Sequence, residues 1–352
     1  MALFALALLL RVGLAVQRAS PDDGDQRLYR ELATSMADGH GYVLDGAPKT
    51  TVHPLLPMLH ATAIRVFGNA ERTGIMLTLL IGSLLPLVAG RTVAMMLGFE
   101  SGLASGALLA VEPHHALASM RLEPDLLAAL LCFWLAGLLW RRAWSLAGVV
   151  VGLGYLTRPE LLLLAPAAAV LARMRGASVG AVVRLLVTAL AVSLVFLLFV
   201  HEATGRFALS GKDRWQYLLG VHQWRSGNQP LDPAAIPALR EEIGGPLQHL
   251  SSNPREFFLG YGYRSGLYFR NLLRQLGFVL LPVAIFGALD AWRRSRPALA
   301  CLVLPLVLLP VYPLVGTFFR HSFVAGSVLL ALAGVGFLSI YRSYRARRAA
   351  AV

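Results

Sequence analysis

A cluster of carboxylates lies where the chain first leaves an apolar segment. The stretch PDDGDQRLYRELATSMADGHGY, residues 21–42, holds five acids in 22 residues and follows a run of Ala, Leu and Val. A partly buried carboxylate has a raised pKa and can act as a general base near neutral pH. Asp25, four residues before Tyr29, is the first candidate, and Asp22 and Asp23 are rival acids. The alternative is that Asp25 only caps the helix that follows it.

Further along the chain, ionisable side chains recur in short turns between apolar segments. A planar guanidinium can bind phosphate oxygens through two hydrogen bonds. Arg158 is therefore the first candidate for phosphate binding, and Arg320 is the second. His53 could contact the phosphate or a second substrate that accepts a transferred group. Each also has a structural alternative. Arg158 could only pair with Glu160 at a turn, Arg320 could anchor a membrane interface, and His53 could shape a helix entry.

A third polar stretch, VEPHHALASMRLEPD, spans residues 111–125 and could line a pocket or hold a metal. Adjacent residues on a helix point about 100° apart, so His114 and His115 suit a shared metal badly. The sequence therefore predicts neither a metal site nor another cofactor, and a divalent metal stays the lesser alternative. The expected pocket residues are Asp22, Asp23, Tyr29, Glu112, His114, His115, Arg121, Glu160 and His321.

The composition places these residues in a membrane protein. Of 352 residues, 57% are hydrophobic and 14% are charged, and the mean hydropathy is +0.62, whereas soluble domains carry about 25% charged residues. A membrane-crossing helix needs about 20 apolar residues. The segments that approach this length are 2–17, 74–97, 102–119, 124–140, 143–157, 159–173, 179–200, 272–291, 297–316 and 322–341. The predicted fold class is an all-α, polytopic membrane protein with about ten transmembrane helices.

The orientation of the chain depends on whether residues 143–157 and 159–173 form one membrane span or two. LGYLTRPELLLL, residues 153–164, interrupts a long apolar stretch, and Arg158 in mid-span would cost about 2.5–3.5 kcal/mol. Pro159 disfavours an unbroken helix, and Thr157 and Glu160 have capping-box spacing, so we predict a hairpin. With ten spans the N-terminus and the C-terminus are cytoplasmic, and most arginine-rich turns lie inside, as the positive-inside rule requires. Nearly all acids then lie at the outer face, around one outward-facing site.

Two predicted outer loops are long enough to bind a ligand. Residues 18–73 form the first, in which residues 26–37 are expected to fold as an amphipathic helix. Residues 201–271 form the second, whose aromatic and arginine side chains suit a lid, an acceptor-binding element or an interfacial belt. The whole chain, 1–352, is expected to be a single transmembrane domain. Its first apolar segment lacks a basic n-region and is expected to be a membrane helix rather than a cleaved signal.

The net charge of +13 does not indicate nucleic-acid binding, because the basic residues are spread between apolar segments. Only two of the 32 basic residues are lysines, which is typical of a GC-rich bacterial genome. We therefore expect the bacterial inner (plasma) membrane, with the site facing the periplasm or the exterior. Cys132 and Cys301 fall in apolar segments and are expected to be buried thiols.

Three motifs, in this order, resemble the GT-C superfamily of membrane glycosyltransferases. They are DQRLYRELATSMADGHGY, HPLLP and GLGYLTRPE, and the resemblance covers roughly residues 20–170. The chain is most similar to the protein O-mannosyltransferases and the lipid A aminoarabinose transferases. The later segment FFRHSFVAGSVLL is similar to an arginine-containing segment near the end of many members.

The resemblance implies that Asp25 is the catalytic base, because members of the superfamily carry this acid a few residues before a tyrosine in the first outer loop. Many members have a second acid directly after it. Gln26 stands there instead, so the resemblance carries over neither a paired carboxylate nor a metal at this position. The implied donor is a polyprenyl-phosphate sugar, and the implied activity is inverting transfer to an acceptor hydroxyl on a lipid, glycan or protein.

Two other classes of function compete with this interpretation. A transporter or flippase of lipid-linked sugars would place ionisable groups near the membrane midplane, often within inverted repeats. Here the charges lie at one rim, and no repeat is visible. A non-catalytic membrane subunit with a degenerate site is the third interpretation, and the missing acid at Gln26 leaves it open.

Overall fold

The computed structural model is almost entirely helical. It describes residues 2–17, 24–211, 215–227, 236–314 and 319–350. The α-helices are α1 (Ala2–Gln17), α2 (Gly24–Ala37), α3 (Leu55–Phe67), α4 (Ala70–Leu97), α5 (Phe99–Val111), α6 (Pro113–Ala118), α7 (Asp125–Trp140), α8 (Trp144–Tyr155), α9 (Leu164–Met174), α10 (Val179–Thr204), α11 (Trp215–Arg225), α12 (Ile236–Ile243), α13 (Pro246–Ser252), α14 (Pro254–Arg294), α15 (Arg296–Val303) and α16 (Phe323–Ala350). Short 3₁₀ turns cover Pro159–Leu163, Leu304–Leu308, Tyr312–Leu314 and Phe319–Ser322, and two short strands, β1 (Val43–Leu44) and β2 (Ala47–Pro48), pair antiparallel.

Five helical segments in the described part of the chain are long and apolar enough to cross a membrane. They are Ala70–Leu97, Val179–Thr204, Pro254–Arg294, Arg296–Leu314 and Arg320–Ala350. Shorter apolar helices lie in four of the other predicted spans, and they are α1, α5, α7 and α8. The all-α fold class is therefore confirmed, while the total of about ten spans and the cytoplasmic termini stay predictions.

The helices approach one another closely at small residues. A Cβ added at Gly102 of α5 would lie 2.3 Å from the carbonyl oxygen of Gly90 in α4, and one at Gly287 of α14 would lie 1.9 Å from that of Leu332 in α16. Membrane helices pack in this way because no hydrophobic force drives them together in lipid. α7 and α16 lie deepest, and every residue of α16 from Phe323 to Gly336 except Leu329 is buried. Both cysteines are free and buried, as expected.

The predicted break after α8 is present, but the prediction of a capping box at Thr157 and Glu160 is wrong. No side chain caps the 3₁₀ turn Pro159–Leu163. The Thr157 hydroxyl instead donates to the Leu153 carbonyl oxygen at 2.9 Å, and Glu160 accepts from Arg158 Nε at 2.6 Å. Pro159 has no N–H to be capped, and the buried guanidinium needs a carboxylate.

Most of the residues in the predicted outer loops are helical in the structure. The predicted amphipathic helix is confirmed as α2, which buries Leu32 and Ala33. The helix α3 follows it, and helices α11 to α13 and the start of α14 occupy much of 201–271. Asp22 and Asp23 lie outside the described residues. The position of these segments relative to a membrane and the single-domain organisation stay predictions.

Candidate active site

Asp25 meets an arginine from the far end of the chain. It lies in the first turn of α2, where the positive end of the helix dipole stabilises a carboxylate. One Asp25 oxygen accepts a hydrogen bond from Nη1 of Arg320, which stands just before α16. The same Nη1 atom lies 3.7 Å from Oε1 of Glu123. The contact therefore joins α2, the turn before α7 and the start of α16.

Glu123 lies between two arginines. Its Oε1 atom is 3.1 Å from Nη2 of Arg121, in addition to the Arg320 contact. Burial raises the pKa of Glu123, and the neighbouring carboxylate of Asp125 raises it further, although Arg320 and Arg121 act in the opposite direction. Arg121 was expected at the pocket, and the structure places it beside this carboxylate.

Arg158 bridges two carboxylates. Its Nη1 atom donates to Oδ1 of Asp125, and its Nε atom donates to Oε1 of Glu160 at 2.6 Å. All three side chains are nearly buried, with 12%, 3% and 13% exposed for Arg158, Asp125 and Glu160. Burial would lower the pKa of Arg158, but Glu160 and Asp125 together raise it above its ordinary value. The guanidinium therefore stays charged.

Asp125 is the last residue of the polar stretch 111–125, but it was not among the pocket residues expected from the sequence. It is the first residue of the otherwise apolar helix α7, and its second oxygen, Oδ2, has no hydrogen-bond partner among the described residues. A buried oxygen without a partner is costly. Oδ2 of Asp125 can therefore accept a proton from a ligand, or a hydrogen bond from a ligand hydroxyl. The available signal was a lone acid at the start of a membrane-length apolar helix.

Tyr29 joins the two groups of charges. Burial raises the pKa of Tyr29, the Asp125 and Asp25 carboxylates raise it further, and Arg320 and Arg158 act against them. Tyr29 thus lies close to both arginines and both aspartates, and Asp25 and Arg158 belong to one site. We call this site the acid–arginine cluster. Its members are Asp25, Glu123, Asp125, Arg158, Glu160 and Arg320.

An aromatic stack borders the cluster. The guanidinium carbon of Arg158 is 6.0 Å from the centroid of Tyr312. The Tyr312 ring stacks on Tyr268 at 5.3 Å and on His321 at 5.6 Å between centroids. His321 was expected at the site, but the two tyrosines were not. The Tyr312 hydroxyl is buried and has no hydrogen-bond partner among the described residues.

His53 supports the turn that carries Arg158. Its Nδ1 atom is 2.7 Å from the Tyr155 carbonyl oxygen, and its ring centroid is 4.9 Å from that of Phe196. Leu55 N also donates to the Leu156 carbonyl oxygen at 2.8 Å. A contact of His53 with phosphate or acceptor stays a prediction.

Gln26, which stands where the second acid was expected, has a structural contact. Its side chain is buried, and Oε1 accepts a hydrogen bond from the Leu122 backbone N–H at 3.2 Å. Leu122 directly precedes Glu123. Gln26 therefore fixes α2 against the segment that carries two acids of the cluster.

We expect Gln26→Leu to lower the midpoint of thermal unfolding and to reduce activity. The substitution leaves the buried Leu122 N–H without its acceptor, which costs about 1–3 kcal/mol. The measurement is thermal unfolding of the purified protein in detergent. Gln248→Leu, at an exposed position, serves as the control, and equal midpoints for both variants would contradict the role of Gln26.

Glu112, His114 and His115 contact one another. Oε2 of Glu112 accepts from His115 N at 2.7 Å and lies 2.6 Å from His115 Nδ1, while Oε1 lies 2.7 Å from His114 Nδ1. Nε2 of His115 is 2.7 Å from Oγ of Ser327 in α16. The two histidines thus share a carboxylate. Among the described residues, no three His, Cys, Asp or Glu side chains are arranged to hold a metal.

This carboxylate predicts a loss of stability in acid. Burial alone would raise the pKa of Glu112, but its hydrogen bonds with His115 and His114 lower it from 4.5 to about 2. The unfolded chain therefore binds more protons in this window, and stability falls as the pH falls from about 4.5 to 2, by about 3 kcal/mol in total. We expect the unfolding midpoint of Glu112→Gln to fall less steeply between pH 6 and 3. Parallel curves for the two proteins would contradict this assignment.

Comparison with known proteins shows a similarity to one family over part of the chain, and a fold. The profile of a family described as dolichyl-phosphate-mannose-protein mannosyltransferase matches residues 49–202. No curated protein matches the chain. ArnT from Cupriavidus metallidurans bound to undecaprenyl phosphate is 15% identical, with a TM-score of 0.62 over 95% of this chain and 59% of that one.

Two archaeal structures are also similar. An oligosaccharyltransferase from Archaeoglobus fulgidus in the apo form is 14% identical, with a TM-score of 0.65 over 99% of this chain and 52% of that one. The oligosaccharyltransferase AglB from the same organism, in complex with an inhibitory peptide and a dolichol-phosphate, has a TM-score of 0.59 at 14% identity. The chain thus spans between half and three fifths of the length of these proteins. The resemblance to GT-C membrane glycosyltransferases is confirmed, and the chain has their fold.

Proposed function

We propose that this chain, with its GT-C fold, transfers a sugar from a polyprenyl-phosphate donor to an acceptor hydroxyl, with inversion at the anomeric carbon. The observation that carries the proposal is the acid–arginine cluster. Segments far apart in sequence bring its charged side chains together at one end of an apolar helical bundle. Buried charges are costly in such a protein, and they mark functional sites more often than structural ones.

In the proposed reaction Asp25 is the base. The acceptor oxygen attacks the anomeric carbon while its proton passes to the Asp25 carboxylate. The bond from that carbon to the phosphate oxygen breaks, and the polyprenyl phosphate leaves with the electron pair. The sugar passes through an oxocarbenium-like state, as in glycoside hydrolysis. Arg158 and Arg320 bind the departing phosphate, whose charge grows as the bond breaks.

Because Asp25 is paired with Arg320, binding of the donor would help to activate Asp25 as the base. A carboxylate that is bound to a guanidinium is a weaker base. A donor phosphate that draws Arg320 away would free the Asp25 carboxylate for the acceptor proton. Arg158 differs because two carboxylates hold it. We infer that it binds phosphate from a fixed position.

The donor class is supported by the ligands named for two structures of the same fold, undecaprenyl phosphate and dolichol-phosphate. The acceptor in this proposal is a hydroxyl on a lipid, a glycan or a protein. The proposed location is the bacterial inner membrane, with the cluster facing the periplasm or exterior. Helix α2 would then lie flat at the membrane surface beside the substrate, and the segment 201–271 would act as a lid or acceptor-binding element.

The test is a comparative analysis of envelope glycans and lipids from cells with and without the gene. We expect one sugar to be missing from a glycan, lipid or protein, and its polyprenyl-phosphate form to accumulate at the outer leaflet. Accumulation restricted to the inner leaflet would favour the flippase interpretation. An unchanged sugar profile would contradict both functions and favour a non-catalytic subunit.

A further inference from the structure

Arg264 is a buried cation outside the acid–arginine cluster. It lies in the first part of α14, before the non-helical Gly277, and only 1% of its surface is exposed. Its Nε atom donates to the Pro313 carbonyl oxygen. Nη1 and Nη2 have no hydrogen-bond partner among the described residues, and no carboxylate of that part of the chain forms an ion pair with this side chain. Two donor atoms of a buried guanidinium are therefore unused.

A second buried arginine shows how the fold satisfies such a group when its role is structural. Arg11 of α1 donates from Nε to Ser119 Oγ at 3.0 Å. Its Nη1 atom donates to the carbonyl oxygens of Ala7 and Ala110, at 3.1 and 3.0 Å. The charge of Glu112 also acts on it. Arg11 thus has three hydrogen bonds and a nearby carboxylate, and only its Nη2 atom lacks a partner among the described residues, whereas Arg264 has one neutral carbonyl and two such atoms.

The polar groups around Arg264 are already bound to other residues. Its guanidinium carbon lies 5.9 Å from the ring centroid of Tyr217 in α11. The Tyr217 hydroxyl is bonded to Nδ1 of His249 at 2.6 Å. Glu256, an acid on the same helix, accepts from Arg225 at 2.6 Å and lies 3.4 Å from His249. The local carboxylate is therefore occupied, and the charge of Arg264 is left for a ligand.

Arg264 is also placed near the proposed reaction centre. Tyr268 follows it by four residues and so lies on the same face of α14, one turn away. Tyr268 stacks on Tyr312, whose ring lies beside Arg158. The residue after Tyr312 is Pro313, which accepts the Arg264 hydrogen bond. Arg264 is therefore linked to the acid–arginine cluster through Pro313 and the neighbouring Tyr312 ring.

We propose that Arg264 is the cation of a second anion site, which binds a phosphate or carboxylate group through Nη1 and Nη2. The planar fork of a guanidinium matches the oxygens of either group. The geometry of Arg264 by itself supports the anion site. The further inference that the anion belongs to a substrate rests on the proposed function. The substrate would then carry an anionic group beyond the donor phosphate at Arg158 and Arg320.

The test measures phosphate binding by the full chain in nanodiscs of zwitterionic lipid. Inorganic phosphate is titrated at constant ionic strength, and the readouts are the unfolding midpoint and the fluorescence of Trp224, obtained as the difference between the six-tryptophan protein and its Trp224→Phe variant. This tryptophan is a suitable reporter because both its ring and Arg264 lie next to Gly260. A Cβ added at Gly260 would be 3.3 Å from the Trp224 ring and 3.1 Å from Nη1 of Arg264. Acetate serves as the carboxylate probe. The variant is Arg264→Met, and the control is Arg270→Met, at an exposed position of the same helix.

We expect phosphate to raise the midpoint of the unsubstituted protein saturably and to change its Trp224 signal. Arg270→Met should respond equally. Arg264→Met should lose the Trp224 response, and a midpoint shift that remains in it should come from phosphate at Arg158 and Arg320. Without phosphate, Arg264→Met should be at least as stable as the unsubstituted protein, because an unpaired buried charge has been removed. If Arg264→Met does not fold, Arg264→Lys replaces it, with an apparent affinity at least tenfold weaker because the fork is lost.

Absence of an Arg264-dependent response to inorganic phosphate, acetate and undecaprenyl phosphate alike would overturn the proposal. A parallel titration with undecaprenyl phosphate identifies the source of the anion. If only the lipid produces the Arg264-dependent response, the anion is lipid-borne, and if inorganic phosphate suffices, it is carried by a water-soluble group. Asp25→Asn is expected to keep the response while losing transfer, so failure of the anion site and failure of the proposed function are distinguishable.

Discussion

Asp25→Asn is expected to abolish sugar transfer while leaving the protein folded in the membrane. An amide cannot take the acceptor proton, and loss of a general base costs about 10²–10⁴-fold in rate. Asparagine has nearly the same size, so the start of α2 is retained. The measurement is the initial rate of transfer by purified protein at saturating donor, normalised to folded protein.

The matched control is Asp38→Asn. Asp38 is exposed, lies directly after α2 and is not a member of the cluster. We expect it to transfer sugar at the unsubstituted rate. If Asp25→Asn kept more than about a tenth of that rate, Asp25 could not be the base, and Asp125 would replace it as the first candidate.

Arg158→Lys is expected to lower both stability and transfer, although the charge is kept. The guanidinium of Arg158 reaches Asp125 and Glu160 through different nitrogens. The shorter ammonium group of lysine cannot hold both carboxylates, and one of them is left buried without a partner. Breaking a buried ion pair costs about 3–5 kcal/mol. The measurements are the unfolding midpoint and the dependence of the rate on donor concentration.

A second substitution separates the structural effect from the functional one. In the double variant Arg158→Lys, Glu160→Gln, the carboxylate left without a partner becomes neutral, so stability should recover. Transfer should stay impaired, because the fork that binds the donor phosphate is still absent. Arg293→Lys, at an exposed position, is the control for arginine-to-lysine exchange. Full recovery of transfer in the double variant would show that Arg158 has only a structural role.

The sequence predicts the helices of this fold well because hydropathy and glycine positions act locally. The helices α4, α7 and α10 begin and end within a few residues of their predicted bounds. The prediction misses the first part of α14, from Pro254 to the non-helical Gly277, whereas the part after Gly277 overlaps the predicted span 272–291. Residues 254–271 mix arginines and aromatics, so their hydropathy does not mark them as part of a long helix. Their helix is stabilised instead by packing against α11 and α13, which a local pattern does not show.

The members of the site were partly predictable, but their pairing was not. Asp25, Arg158, Glu160 and Arg320 stood out as ionisable residues in turns, which is a local signal. The contact between Asp25 and Arg320 joins residues 295 positions apart. It depends on how α2 and α16 pack, which a single sequence does not reveal. Asp125 was missed because an acid at a helix start has an ordinary role as a dipole partner, and its pairing with Arg158 is again tertiary.

The most direct test of the central claim, that the acid–arginine cluster catalyses inverting transfer, is the stereochemistry of the product. Purified protein in nanodiscs would be supplied with the polyprenyl-phosphate sugar that accumulates without the gene, and with an envelope extract as acceptor. The anomeric configuration would be read by NMR. We predict a product of inverted configuration whose formation requires Asp25. Retained configuration, or equal transfer by Asp25→Asn, would contradict the account.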